Sequence, residues 1–160
     1  MQSFIEQLPA LLRQLAEPTT PHTTKELWCR IASEEWEQCA LNLLHELRTG
    51  ENDVKRLVLS IVCEQAHIVR STPIQPFLIE IERLLTDDDR LMRMAAVGAV
   101  RDFVEHGRDN DVASPSVLAS LRRIACHDEL PLAREALLTL LEMDDGAVRE
   151  FTSLLRDREK

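Results

Sequence analysis

The sequence predicts an all-α protein made of stacked helix pairs, and three observations carry that expectation. The first is composition: 4 Gly, 7 Pro and no Tyr among 160 residues, with Leu and Ala dominating the apolar set. So few turn formers and aromatics argue against a sandwich, a barrel or a glycine-rich nucleotide loop. The second is periodicity: apolar residues recur at three- and four-residue spacing, and no segment alternates with period 2 between turn residues. The third is an internal recurrence near 40 residues, the mark of a stacked solenoid. A chain of this length is enough for one domain burying roughly 70% of its unfolded surface.

Each helix has its own start and stop. Ser3 and Glu6 make a capping box that opens the first, where Phe4, Leu8, Leu11, Leu12 and Leu15 share a face. Pro9 lies inside this pattern and is expected to kink the helix or to begin it. Pro18 and Pro21 end it. Thr23 and Glu26 form a second capping box, opening a helical stretch towards Arg48 with a break near Ser33 and Gly50 at its C-terminal stop. A third helix is expected over 53–70, between Asn52-Asp53 and Ser71-Thr72-Pro73. The fourth spans 74–86, between Pro73 and Asp87-Asp88-Asp89, and the fifth covers 89–106 and ends at Gly107. Ser114 as N-cap and Pro115 at the first helical position start a helix to His127, and another follows from Pro131 to Met143. Asp144-Asp145-Gly146 then punctuates the chain before a last helix that turns Val148, Phe151, Leu154 and Leu155 inward.

The segments Val54–Val62, Met92–Val100 and Ala133–Leu140 can be laid one under another, aligning Lys55, Arg93 and Arg134 at separations of 38 and 41. The pattern apolar-Arg-x-Ala-Ala-x-x-Ala-Leu that they approach resembles the second helix of the HEAT-repeat family. That resemblance implies a right-handed α-solenoid of about three to four HEAT-like helix pairs in a single domain over 1–160. Repeats fall at 34–70, 74–106 and 114–143, with 1–33 as an N-terminal cap or degenerate repeat and 146–157 as a C-terminal capping helix. It further implies that the basic residue of each second helix joins a ladder with acids near the preceding turn: Asp89 for Arg93, Asp128 for Arg134. The second helices would line the concave face, presenting Arg56, Met94 and Glu135, then Ser60, Gly98 and Thr139, then Cys63, Arg101 and Glu142. Ala95 and Ala136 are expected at close-packed positions. Gly98, mid-helix at a cost of about 1 kcal/mol relative to Ala, is expected at a close approach between helices.

Charge narrows the function. Asp plus Glu total 28 against 19 Lys plus Arg, a net charge of −9 spread over both halves. Nucleic-acid binding depends on a cationic surface, so an acidic chain is better suited to a basic protein partner. Asp87, Asp88, Asp89, Asp128 and Glu129 fall in turns between first and second helices, as do Glu51 and Asp53. Asp109, Asp111, Asp144 and Asp145 fall in turns expected on the opposite edge. Two roles are open for the acids: N-caps that complement helix dipoles, or a stacked negative column facing a partner. Trp36 stands within Glu34-Glu35-Trp36-Glu37, an aromatic flanked by acids, suited either to anchor such a partner or to plug the first repeat; the same plug role is open to Trp28.

No residue pattern calls for a catalytic group, a cofactor or a metal. There is no Walker loop, His-Glu-x-x-His, Gly-x-Ser-x-Gly or dinucleotide fingerprint. Cys63 and His67 are only two ligands where a soft metal site needs three or four. Cysteines 29, 39, 63 and 126 form no Cys-x-x-Cys, no basic-then-apolar leader opens the chain, and no run reaches the ~20 apolar residues of a membrane span. A cytoplasmic protein is expected. The resemblance suggests a non-catalytic interaction module, most specifically an acidic inhibitor of the immunity (antitoxin) kind that occludes a basic toxin. Candidate contacts are Trp36, Glu34, Glu35, Glu37, Asp87, Asp88, Asp89, Asp128 and Glu129, with the concave Arg56, Met94, Arg101 and Glu135 as the alternative. Two other readings are a generic scaffold or adaptor subunit and a HEAT-like DNA-repair glycosylase, whose basic groove this chain lacks. Circular dichroism should show a predominantly helical protein; strand content above about a fifth, near the globular average, would refute the fold expectation.

Overall fold

In a computed structural model of the chain, residues 3–16, 27, 30–31, 36–69 and 71–143 are described. Among them are eight helices and no strand: α1 (Phe4–Ala16), α2 (Trp36–Thr49), α3 (Asn52–Ile68), α4 (Gln75–Leu84), α5 (Arg90–Glu105), α6 (Asp109–Val112), α7 (Pro115–His127) and α8 (Leu130–Met143). The protein is all-α. The second capping box, the break near Ser33, Trp28, Glu34, Glu35, Asp144, Asp145 and the helix expected over 146–157 lie outside the described residues. The chain divides into two compact units, 1–80 and 81–160, with the division inside α4.

In the first unit α1 opens on the expected capping box: the Ser3 amide donates to Glu6 at 2.9 Å and the Glu6 amide to Ser3 Oγ at 3.3 Å. It runs unbroken through Pro9, and Leu8 and Leu12 are fully buried. α1 packs on α2 and α3, and α2 on α3. Polar contacts fasten α1 along its length. Asn42 Nδ2 donates to the Ile5 carbonyl at 3.0 Å, Arg13 Nη2 donates to Glu46 at 2.9 Å, and the Arg30 guanidinium lies 4.3 Å from the Phe4 ring centre. Gly50 follows α2 as expected, but for room rather than for a left-handed backbone: a Cβ there would sit 2.5 Å from the Glu46 carbonyl oxygen.

In the second unit the caps are those the sequence predicts. Asp89 accepts from the Leu91 amide at 2.8 Å, and Ser114 Oγ accepts from Val117 at 3.1 Å while donating to Glu82 at 2.6 Å. α5 closes in a Schellman arrangement, with Gly107 at φ 73°, its amide on Val104 and the Arg108 amide on Phe103. α7 packs on α8, α8 on α5, and α6 on α5. The short α6 replaces an expected turn: Asp109 and Asp111 are helical, and the fully buried Val112 fixes the segment to the core.

Burial shifts the alignment of the three segments by one residue. The core positions are Val54, Val58, Ile61 and Val62 in α3; Met92, Ala96, Ala99 and Val100 in α5; Leu132, Ala136, Thr139 and Leu140 in α8. Equivalent positions are therefore 38 residues apart between the first two sets and 40, not 41, between the last two. Arg134 moves out to solvent, and Ala133 takes the place matching Arg93. Ala95 is half-buried while Ala96 is fully buried; Cys63 and Thr139 face inward rather than outward. The 41-residue spacing from Gly98 places Thr139 outward; at 40 residues it matches the buried Ala99, and its hydroxyl donates to the Glu135 carbonyl at 2.8 Å. Gly98 is also corrected. It is exposed, and an added Cβ would meet nothing within 4 Å.

Ala96→Leu and Ala136→Leu are expected to destabilise the fold by about 1–3 kcal/mol through overpacking, with Ala95→Leu close to neutral. Gly98→Ala is expected to stabilise by about 1 kcal/mol, through helix propensity alone. Denaturant melts measure all four; equal losses at 95 and 96 would restore the 41-residue register.

Candidate functional site

The turn acids singled out from the sequence do come together in the second unit, and one arginine organises them. Arg93 grips Asp128 bidentately, Nε to Oδ2 at 2.8 Å and Nη2 to Oδ1 at 2.9 Å. Its Nη1 donates to the carbonyl oxygens of Asp87 and Asp88, at 2.8 and 3.0 Å. The ladder expected for Arg93 exists, but its acid is Asp128, 35 residues on, and not Asp89. The other acids are occupied as well. Asp87 Oδ1 accepts the Asp89 amide at 2.8 Å, Asp89 caps α5, and Glu129 pairs with Arg90 at 2.8 Å. Asp88 is exposed and, among the described residues, its side chain makes no hydrogen bond or ion pair. Asp87, Asp88, Arg93 and Asp128 border a cleft of about 440 Å³ that Arg123 and His127 also line. Cations and carboxylates alternate around it, so the negative column is largely neutralised where it stands.

Proton equilibria agree with a structural pair. The Arg93 hydrogen bonds hold the Asp128 carboxyl below its ordinary 3.8, and Asp128 in turn raises the Arg93 guanidinium. Asp128 therefore stays ionised and is not poised as a general acid.

Trp36 is half-buried at the start of α2, its ring 6.1 Å from that of the fully buried Phe77 and tilted by 42°. It packs on the core with part of its surface in solvent, and Glu37 beside it is exposed. Of the alternative set, Arg56 lies in the first unit, where it pairs with Asp53 one turn earlier. Met94, Arg101 and Glu135 lie in the second unit and share one surface. There Arg101 is ringed by three carboxylates: Glu105 at 2.7 Å, Glu135 at 2.5 Å and Glu142 at 3.8 Å. Hydrogen bonds donated to Glu105 and Glu135, in that order of weight, raise the Arg101 guanidinium above its usual value.

Two buried carboxylates escaped the sequence reading. Glu46, 1% exposed, meets Arg13, and Glu80, 8% exposed, meets Arg48 at 2.6 Å. The available signal was position: Glu46 falls on the apolar stripe of α2 between Leu43 and Leu47, where a carboxylate needs a partner. Glu46 also borders a cleft of about 430 Å³ with Arg13, Thr49, Gly50, Glu51 and Asp53.

Among the described residues no three His, Cys, Asp or Glu side chains are grouped to hold a metal ion. Cys63 is buried and His67 exposed. Among the described residues no helix is long and apolar enough to cross a membrane. Fold and site together define an all-α protein in which the turn acids Asp128 and Glu129 pair with Arg93 and Arg90. No family model, curated protein or solved structure matches the chain.

Asp128→Asn is expected to cost about 1.5–3 kcal/mol at neutral pH, the value of a charge-assisted pair with little solvent access. Because the folded carboxyl titrates below 3.8, this stabilisation is complete above that value and is lost as pH falls through the lowered one. Urea melts from pH 7 down to about 2 should show the gap between parent and variant closing in that acid range; a gap that stays constant would mean the pair contributes nothing.

Proposed function

We propose that the chain is a HEAT-like right-handed α-solenoid serving in the cytoplasm as a non-catalytic binding module for a basic protein. The particular form suggested is an immunity (antitoxin) protein that occludes a toxin domain. The acid excess carries the functional reading: −9 overall, present in both halves. Support for the repeat architecture is the spacing of the long-range polar links. Arg13–Glu46, Arg48–Glu80, Arg93–Asp128, Arg101–Glu135 and Ser114–Glu82 all span 32 to 35 residues. A recurring link of nearly one repeat length is what a stack of helix pairs requires.

The internal pairing divides the candidate contacts. Asp87, Asp89 and Asp128 hold the turns, so their field at a distance is weakened by Arg90 and Arg93. Asp88, Glu129, Glu37 and the exposed edge of Trp36 are the parts of the set open to solvent. Association with a basic partner is steered by exposed charge and is screened by salt.

The test begins with affinity capture from the source cells, followed by stopped-flow kinetics with the purified partner. The expected result is a stoichiometric complex with a basic protein whose association slows by about tenfold or more as salt rises from low to high concentration. Asp88→Asn combined with Glu129→Gln should slow association further at low salt without lowering the melting temperature. A partner that is nucleic acid, or a protein complex whose rate ignores salt, would overturn the proposal.

A further inference from the structure

The unexplained feature of the second unit is Gly98. A glycine in the middle of a sixteen-residue helix weakens it, yet no described residue approaches closely enough to need the missing side chain. It does not stand alone. Leu91, Met94, Ala95 and Gly98 follow the i, i+3, i+4, i+7 spacing of a single helix face, and that face is the one opposite the core. Leu91 is 50% exposed, Met94 and Ala95 are half-buried, and Gly98 is exposed. α5 is thus apolar on two sides, one against the core and one partly open to solvent. Along the same face the stripe gives way to Arg101 and Glu105, with Glu135 and Glu142 of α8 alongside.

We propose that this face of α5 docks an amphipathic helix of a basic protein partner. The partner's apolar stripe lies over Leu91, Met94 and Ala95, its backbone comes close at Gly98, and a lysine or arginine sits against Glu105, Glu135 and Glu142. The proposal rests on the basic-partner reading above and gives it a place and a shape. Two turns of apolar ridge ending in a bare backbone present a face against which another helix can pack, and a glycine there lets two backbones approach. The charge selects the sign of the occupant. Three carboxylates face one guanidinium, so the cluster is left short of positive charge, and a single cationic side chain relieves it. A second copy of this chain would bring the same −9 and the same cluster, which disfavours self-association.

The test uses the full chain and two labelled synthetic helices of about 18 residues, long enough to hold an amphipathic helix. Both carry the same Leu/Ala stripe; one ends in three lysines and the other in three glutamates. Fluorescence anisotropy gives affinity, and amide NMR shifts give the location. The lysine peptide is expected to shift the amides of Leu91, Met94, Ala95, Gly98 and Arg101, and to bind about tenfold or more tightly than the glutamate peptide. Gly98→Leu, which fills the notch without touching the core, should weaken it by a similar factor while the melting temperature holds or rises; Glu142→Gln should weaken the lysine peptide alone. Shifts confined to another surface, or unchanged binding by Gly98→Leu, would overturn the α5 face and leave the basic-partner reading standing. Equal affinity for the two peptides, or no binding by either, would overturn both. A concentration-dependent dimer abolished by Gly98→Leu would assign the face to a second copy and overturn the proposal.

Discussion

Arg93 sits where the second unit has most to reconcile. The turn after α4 and the turn after α7 both end helices, and both leave carbonyl groups and carboxylates close together. A lysine at this position would offer one compact charge; the guanidinium offers a planar fork with donors in fixed directions. One side of the fork takes both oxygens of Asp128, and the other takes two successive carbonyls, Asp87 and Asp88. The same group therefore fixes a backbone turn and joins it to another turn 35 residues away. With 17% and 12% of the two side chains exposed, the pair is sheltered enough to set geometry but wet enough to escape the full cost of burying charge.

The rest of the polar architecture repeats that solution with different chemistry. Glu46 and Glu80 are held inside the first unit by arginines that remain half in water, an arrangement that leaves the desolvation cost mainly on the carboxylate. Ser114 unites capping and linking in one hydroxyl, accepting from Val117 and donating to Glu82. An acidic chain can carry many carboxylates in its turns because arginines stand against them, Arg93 on Asp128 and Arg90 on Glu129. The surface of α5 and α8 is where that distribution fails, with three carboxylates to a single guanidinium.

Much of the helical outline was legible because helix ends are local. Ser3 with Glu6, Asp89, Gly107 and Ser114 each act within a few residues of themselves, and each performs the role that its type and spacing suggest. Positions that depend on what lies across the core were not legible. The register of α8 slipped by one residue because the aligned Arg134 outweighed the apolar spacing of Leu132, Ala136 and Leu140, and nothing local distinguishes a buried threonine from an exposed one. Arg93 was correctly expected in a ladder, but its partner was assigned to a neighbour in sequence when the true partner is a neighbour in space. Gly98 was read as close packing because that is the common reason for a helical glycine. Its environment, known only in three dimensions, is open. For the candidate site the sequence assembled the correct group of turn acids and overestimated their freedom, since the arginines that occupy them are invisible in a count of charge.

The fastening of α1 bears on how the first unit comes apart. Helices at the edge of a fold ordinarily fray turn by turn, each step losing little. Here Arg13 pairs with a carboxylate that is 1% exposed, and Ile5 and Phe4 are held at the other end by Asn42 and Arg30. Peeling away the last turns of α1 would take the guanidinium from the Glu46 carboxylate, a cost added to that of the helical hydrogen bonds. The first helix is thereby enrolled in the same cooperative block as α2 and α3, opening with them or not at all.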